Sequence, residues 1–384
     1  MKNMKIIIYF FSFCCFAQIK KENILNYQKS IIEQELTGSN RGIIFQNGEV
    51  IFDQTVNSNK NGDLDINEET IFPIWSMSKP ITIVAMMSLI EKGIIDLEDP
   101  VYKYIPSFKN INCKGNNSIY PCKNELKIIH LMSHRSGFGY YSNPGYGYGF
   151  TNTIKYNNLE EFISDVAKVT LEFEPGSDYL YGINQAILGR IIEVVTKKSF
   201  FEYLFKTILD PLKMNNTKFH LTDEEKLRFQ PLYINQNSLK GFTYELNELS
   251  YSIDNRAHFG GEGLVSTASD YMKFCKMLLN KGIYNGKRII SEKSIKIMTD
   301  VYSEKGIING QLPGKKVYYG FSFFVVDPVS DGIDFSKRLY GWDGYHCTRF
   351  WIDYENNLYG LFLTRARSDN DKIRSGFIEA VYLN

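Results

Sequence analysis

Phe72-Pro73-Ile74-Trp75-Ser76-Met77-Ser78-Lys79-Pro80 is the stretch that decides how this chain is read. A helical pattern follows it: Ile81, Val84, Met87 and Ile90 recur at i, i+3, i+6 and i+9, and Gly93 supplies a stop. Pro80 fits a helix only in its first turn, where the missing N–H is not needed. Ser76 is therefore expected at the helix mouth and Lys79 within its first turn. Residues three apart share a helix face, so the Ser76 hydroxyl and the Lys79 amine can meet. A serine hydroxyl is a poor nucleophile until a base takes its proton. A buried lysine can become such a base through desolvation and other cationic groups, and the N–H groups of a helix start favour developing negative charge. S-x-x-K also recurs on solvated helices, so its weight comes from context.

The chain of 384 residues has room for about two domains. Its 43% hydrophobic and 23% charged residues are those of a globular protein, and a net charge of +1 gives no general pull towards nucleic acid or anionic lipid. The 26 Tyr and 27 Phe suit an aromatic core or an aromatic-lined cleft. At the start, Lys2 and Lys5 precede the apolar run Ile6 to Phe11 and then Cys15-Phe16-Ala17. That order predicts a secretory signal, residues 1–17, cut after Ala17, and hence a periplasmic or secreted protein. The run is too short to span a bilayer. An uncleaved anchor, or a lipoprotein built on Cys14 or Cys15, stays open. Cys113 and Cys122 bracket a polar loop, Lys114 to Pro121, and in an oxidising compartment read as a disulfide rather than two free thiols. There is no C-x-x-C pair, and His130 and His134 lack the Glu of H-E-x-x-H, so no metal and no cofactor is assigned.

Taken in order, residues 22–36 read as a surface helix. Gly42 to Phe45 and Glu49 to Phe52 form a hairpin over Asn47-Gly48. Helical patterns follow at Lys127 to Met132, Leu159 to Val169, Asn184 to Thr196 and Ser199 to Leu209, with a long Gly-, Tyr- and Asn-rich loop at 139–157. Residues 220–257 read as irregular and polar, and 269–281 as a capped helix. Tyr318 to Val326 reads as one strand, Thr348 to Ile352 and Leu358 to Thr364 as a hairpin, and Asp371 to Val381 as a last helix. Strands at both ends with helices between predict an α+β fold: an antiparallel sheet flanked by helices, with an inserted all-helical domain. The expected divisions are 18–107, 108–254 and 255–384.

These blocks resemble, in order over about 40–364, the serine β-lactamase-like hydrolases: class C β-lactamases, low-molecular-weight penicillin-binding proteins and carboxylesterases of the same fold. They include Ser76 to Pro80, Ile95-Asp96-Leu97-Glu98-Asp99-Pro100, His134-Arg135-Ser136-Gly137, Pro175-Gly176, Asp210-Pro211-Leu212-Lys213-Met214 and Gly263-Leu264-Val265-Ser266-Thr267. S-x-x-K carries the nucleophilic serine of penicillin-binding proteins. The family's second motif is Tyr-x-Asn. Tyr141-Ser142-Asn143 has its letters, whereas Tyr181-Gly182-Ile183 has its place after Pro175-Gly176 and before a helix. Tyr181 is taken as the partner of Lys79, and Tyr141 as a cleft-lining residue. The third motif, Lys-Thr-Gly or His-x-Gly, is replaced by Trp342-Asp343-Gly344, like the Trp-x-Gly of the esterase branch.

The resemblance implies an acyl-enzyme on Ser76, proton transfer by Lys79 and Tyr181, and an oxyanion hole from the N–H groups of Ser76 and Tyr345, beside Trp342 and Gly344. A tryptophan at 342 cannot pair with a substrate carboxylate as lysine can, which favours small neutral esters. A β-lactamase, a D-amino-acid peptidase and an inactive binding homologue are the alternatives. The partner expected is a small-molecule acyl substrate, with no nucleic acid and no stable membrane span; the oligomeric state is left open. Glu262 stands where the family usually has glycine, and a solvent-exposed carboxylate is expected there.

Overall fold

In a computed structural model, residues 19–140, 156–236, 239–243, 258–304, 316–327, 337–368 and 372–382 are described. The expected signal peptide and Tyr141 lie outside them. The hairpin over Asn47-Gly48 forms as strands β1 (Asn40–Gln46) and β2 (Glu49–Val56). Both turn residues take positive φ, 52° and 99°, the geometry for which Asn-Gly is favoured. The later strands are β3 (Lys316–Tyr319), β4 (Phe324–Asp327), β5 (Leu339–Asp343), β6 (Arg349–Asp353) and β7 (Leu358–Leu363). They join β1 and β2 in one antiparallel sheet, in the order β3-β4-β5-β6-β7-β1-β2. The two ends of the chain thus share a sheet, as the α+β reading requires.

Successive residues of a strand point to opposite faces, and β6 shows what covers each. Phe350 packs against Tyr271 and Phe274 of one helix, Ala268–Leu279, while its neighbour Trp351 packs against Phe377 of another, Lys372–Tyr382. The first helix, α1 (Lys21–Glu33), lies beside that C-terminal helix, and the Tyr27 hydroxyl donates to the Lys372 and Ile373 carbonyls. Every residue of β6 and β7 is buried, the signature of a sheet covered on both faces.

The helix after Ser76, α2 (Ser78–Glu91), is buried all round from Ser78 to Leu89, so it runs through the core rather than along a surface. It packs on α5 (Asn184–Thr196) and α6 (Phe200–Leu204), with α3 (Ile128–Met132) and α4 (Leu159–Val166) completing the helical region. Cys113 and Cys122 are disulfide-bonded across a small ladder of Asn112–Lys114 with Ile119–Pro121. No helix among the described residues is long and apolar enough to cross a membrane.

Three expectations are corrected. The stretch Tyr318 to Val326 is not one strand: it turns back on itself at Gly320 to Phe323, making β3 and β4 an antiparallel pair. Ser322 takes φ 56° in that turn, and its hydroxyl is bonded by Gln185, so a tertiary contact fixes the break. The polar stretch after 220 contains a hairpin, Leu232–Gln236 with Leu239–Thr243, whose first strand also pairs in parallel with Ala366–Ser368. With that hairpin and the disulfide ladder, the middle of the chain is not all helical.

Candidate active site

The site begins at a short strand. Phe72 and Pro73 pair with Ser266 and Val265, and the Ile74 N–H donates to the Leu264 carbonyl at 3.1 Å. Trp75 then takes φ 46°, a conformation rare for so bulky a residue. Its indole N–H donates to His346 Nδ1 at 2.9 Å, and its ring meets Tyr345 edge-on at 5.4 Å. A bulky residue held in a sparse region of backbone space by its surroundings is a recurring mark of functional sites. A 3₁₀ turn, Trp75–Met77, presents Ser76, and α2 follows.

Lys79 is fully buried, and its three N–H donors all have acceptors: Ser76 Oγ at 3.0 Å, the Tyr140 hydroxyl at 2.8 Å and the Gly261 carbonyl at 2.7 Å. Burying an ammonium group costs several kcal/mol. Three charge-assisted hydrogen bonds at about 1.5–3 kcal/mol each are of the size needed to offset that cost. The Tyr181 hydroxyl donates to Ser76 Oγ at 2.7 Å, and the Lys79 ammonium lies 4.7 Å from the centre of the Tyr181 ring. Ser76, Lys79 and Tyr181 therefore meet at one point.

Tyr181 is held from behind by His134. The ring centroids are 4.8 Å apart, the His134 carbonyl accepts from the Leu180 N–H, and its Nδ1 accepts from Asn184 and the Gly182 N–H. Burial, and then the nearby Lys79 charge, push the His134 imidazole well below its ordinary value, so it stays neutral. Trp342 is 1% exposed, with its ring 5.8 Å from that of Tyr181. It packs behind the tyrosine instead of offering an open face. Gly344 follows β5; a Cβ there would stand 2.0 Å from Thr348 Oγ1 and 2.7 Å from the Ile74 carbonyl. Only glycine lets the sheet edge approach the nucleophile turn this closely. Tyr345 comes next, half exposed, in a turn closed by the Cys347 N–H on the Gly344 carbonyl.

Two members of the site were not anticipated. Tyr140, one residue before the Tyr-x-Asn letters, contacts Lys79; the signal available was its position just past Ser136-Gly137. Glu262, expected in solvent, is buried, and this is a correction. Its Oε2 lies 3.7 Å from Lys79 Nζ and accepts from the Tyr140 hydroxyl at 3.3 Å. The reason is that α2 grips the turn carrying it. Thr82 donates to the Gly260 carbonyl, Lys79 to the Gly261 carbonyl, and Ser78 Oγ accepts from the Leu264 N–H. Burial raises the Glu262 carboxyl above the usual range, opposed by Lys79 and the Tyr140 hydrogen bond. Burial, and then Glu262, hold the Tyr140 phenol far above its ordinary value. No group is suited to hold a metal near Ser76 among the described residues; the grouped Cys113, Cys122 and Glu174 lie elsewhere, and their two sulfurs are bonded to each other.

The sequence model of the Beta-lactamase family matches residues 42–381. Esterase EstB of Burkholderia gladioli is 25% identical over 208 residues, 52% of this chain and 51% of its own length. A putative D-alanyl-D-alanine carboxypeptidase of Salmonella typhimurium is 30% identical over 250 residues, 59% of this chain and 55% of its own. The chain thus spans about half the length of each of these two relatives. The solved structure of EstCE1, described as a hydrolase with promiscuous acyltransferase activity, is similar with a TM-score of 0.76 at 21% identity, over 94% of this chain and 98% of that one.

Proposed function

The chain belongs to the Beta-lactamase family, a family of serine hydrolases, and from that premise we propose that it forms an acyl-enzyme on Ser76 and acts best on small neutral esters. The observation that carries the proposal is the meeting of Ser76 Oγ with Lys79 at 3.0 Å and Tyr181 at 2.7 Å. Once the Lys79–Tyr181 pair has given up one proton to solvent, Ser76 attacks the acyl carbonyl while its own proton passes to that pair. The same pair returns a proton to the leaving alcohol, and water then releases the acyl group. The N–H groups of Ser76 and Tyr345 receive the oxyanion; one such donor is typically worth about 2.7–4 kcal/mol in the transition state. An intact triangle speaks against an inactive binding homologue.

Support for neutral esters comes from the third motif. Residue 342 is a buried tryptophan where a cation would hold a substrate carboxylate, and the Lys79 donors are all engaged within the protein. EstB, by its name an esterase, is a relative in keeping with this. The Salmonella relative keeps a D-amino-acid peptide as the second reading. We further propose that the chain is exported and begins at Gln18 after cleavage, which fits a disulfide at Cys113–Cys122. N-terminal sequencing of the exported protein tests this, and a mature chain starting at Met1 in the cytoplasm sinks it.

The deciding experiment compares kcat/KM for p-nitrophenyl acetate or butyrate, a penicillin and a D-Ala-D-Ala peptide, with intact mass after each incubation. The ester is expected to lead and to leave an acyl adduct on Ser76. A penicillin ahead by tenfold, about 1.4 kcal/mol of transition-state stabilisation, overturns the ranking.

A further inference from the structure

We infer that Glu262 is the charge-setting residue of this site: its buried carboxylate makes the base that serves Ser76 hold its proton to higher pH, so that acyl transfer is an alkaline-side activity. The inference rests on the reading of Ser76 as nucleophile.

The geometry is that of a counter-ion built into the catalytic turn. The Lys79 side chain is fully buried and that of Glu262 is 5% exposed, with 3.7 Å between Nζ and Oε2. The gap is too long for a direct hydrogen bond and is bridged by the Tyr140 hydroxyl, which accepts from Lys79 at 2.8 Å and donates to Glu262 at 3.3 Å. Charges buried this close interact far more strongly than the same charges in water. The backbone on either side of Glu262 is anchored to α2 through Gly260, Gly261 and Leu264, so the carboxylate is presented to Lys79 by a fixed turn and not by a mobile one.

Three other titratable groups, Tyr140, Tyr181 and His134, face this pair. Lys79 comes from α2, Tyr140 from the segment after α3, Tyr181 from the segment before α5, and His134 lies behind Tyr181. Tyr140 and His134 are held neutral by burial, as described above. Lys79 and Tyr181 are the two groups in contact with Ser76 Oγ through which its proton can leave. An anion beside a base stabilises the protonated base. The sign is therefore the same whether Lys79 or Tyr181 finally takes the Ser76 proton: removing the carboxylate frees the base at lower pH. Because burial delays ionisation of Glu262, the effect is present only above the pH at which that carboxyl loses its own proton.

The test is the pH profile of kcat/KM for a neutral short-chain ester with wild type and Glu262→Gln, which keeps an acceptor for Tyr140 and removes the charge. The acidic limb is expected to move down by about one pH unit or more, so that on that limb the variant outruns wild type by about tenfold. Labelling of Ser76 by a phosphonate, followed by intact mass, should show the same displacement without a substrate. Should Glu262→Gln fail to fold by circular dichroism, Glu262→Gly removes the charge between two existing glycines and is expected to shift the limb in the same direction. A limb that stays in place or moves up, in a folded variant, overturns the inference and leaves a merely structural ion pair. Ser76→Ala separates the two failures: full turnover in Ser76→Ala sinks the acyl-enzyme reading itself, whereas a dead Ser76→Ala with an unmoved Glu262→Gln limb sinks this inference alone.

Discussion

The Tyr181 hydroxyl stands 2.7 Å from Ser76 Oγ, although the two residues are 105 positions apart in the chain. That contact joins a turn of the helical region to the mouth of α2, with Lys79 completing the triangle from within the helix.

Groups that act as one unit lose their function together, so their deletions do not add. Ser76→Ala, Lys79→Ala and Tyr181→Phe are each expected to lower kcat by several orders of magnitude. The double variant Ser76→Ala/Tyr181→Phe should be little worse than Ser76→Ala. Steady-state kinetics on one ester reads this directly. Tyr181→Phe near wild-type rate would remove Tyr181 from the proton path.

Gly344→Ala tests how tightly the sheet edge must meet the nucleophile turn. The added methyl would lie 2.7 Å from the Ile74 carbonyl, a backbone atom that can give way only by shifting the turn before Ser76. Overpacking of this kind costs about 1–3 kcal/mol of stability. Displacement of the nucleophile by about 1 Å costs on the order of a hundredfold in rate. A melting curve and kcat/KM together check it: a stable variant with unchanged rate would show that the close approach does not serve catalysis.

How much of this was legible in the sequence follows from how local each feature is. Ser76 and Lys79 are three apart, so helix geometry alone brings them together. Tyr181 follows a Pro-Gly turn and precedes a strong helical pattern, and the structure brings it to Ser76. Tyr140 was hidden because the motif letters begin one residue later, at Tyr141. Glu262 was misjudged because a Gly-rich polar turn usually faces water, and only the grip of Ser78, Lys79 and Thr82 on that turn turns it inward. The break between β3 and β4, and the pairing of Leu232–Gln236 with Ala366–Ser368, depend on partners over 100 residues away, which no local pattern records.

The Cys113–Cys122 bond closes a short loop, nine residues apart in sequence, with the Cα atoms 5.1 Å apart. Loop-closure entropy gives about 2–3 kcal/mol for a loop of that length. Cys113→Ser/Cys122→Ser is therefore expected to lower the denaturation midpoint while leaving kcat almost unchanged, because no residue placed at the site lies in that loop. Two thiols reacting with a maleimide in the native, unreduced protein would show that the bond does not form in solution.

Acid should loosen the fold before it titrates ordinary carboxylates. Burial is the largest cause in each of four histidines pushed below their ordinary value: His130 and His258 to about 4, and His134 and His346 well below. In the unfolded chain each titrates near 6.5. Between about pH 6.5 and 4 the unfolded state therefore binds more protons than the folded state, and stability falls as pH falls. One such histidine contributes up to about 1.4 kcal/mol per pH unit in that window, less for the partly exposed His130. Glu262 works in the opposite sense, because its folded carboxyl is raised and takes up its proton earlier than the unfolded one; it is one group against four. Exposed carboxylates with lowered values, such as Asp223 beside Lys226, lose their contribution only below their unfolded value near 4. The urea midpoint measured at pH 7.5, 6.5, 5.5 and 4.5 should thus drop steadily from 6.5 downward at constant m-value. A midpoint flat to pH 4.5 would mean that these histidines find their protons without unfolding the core around them.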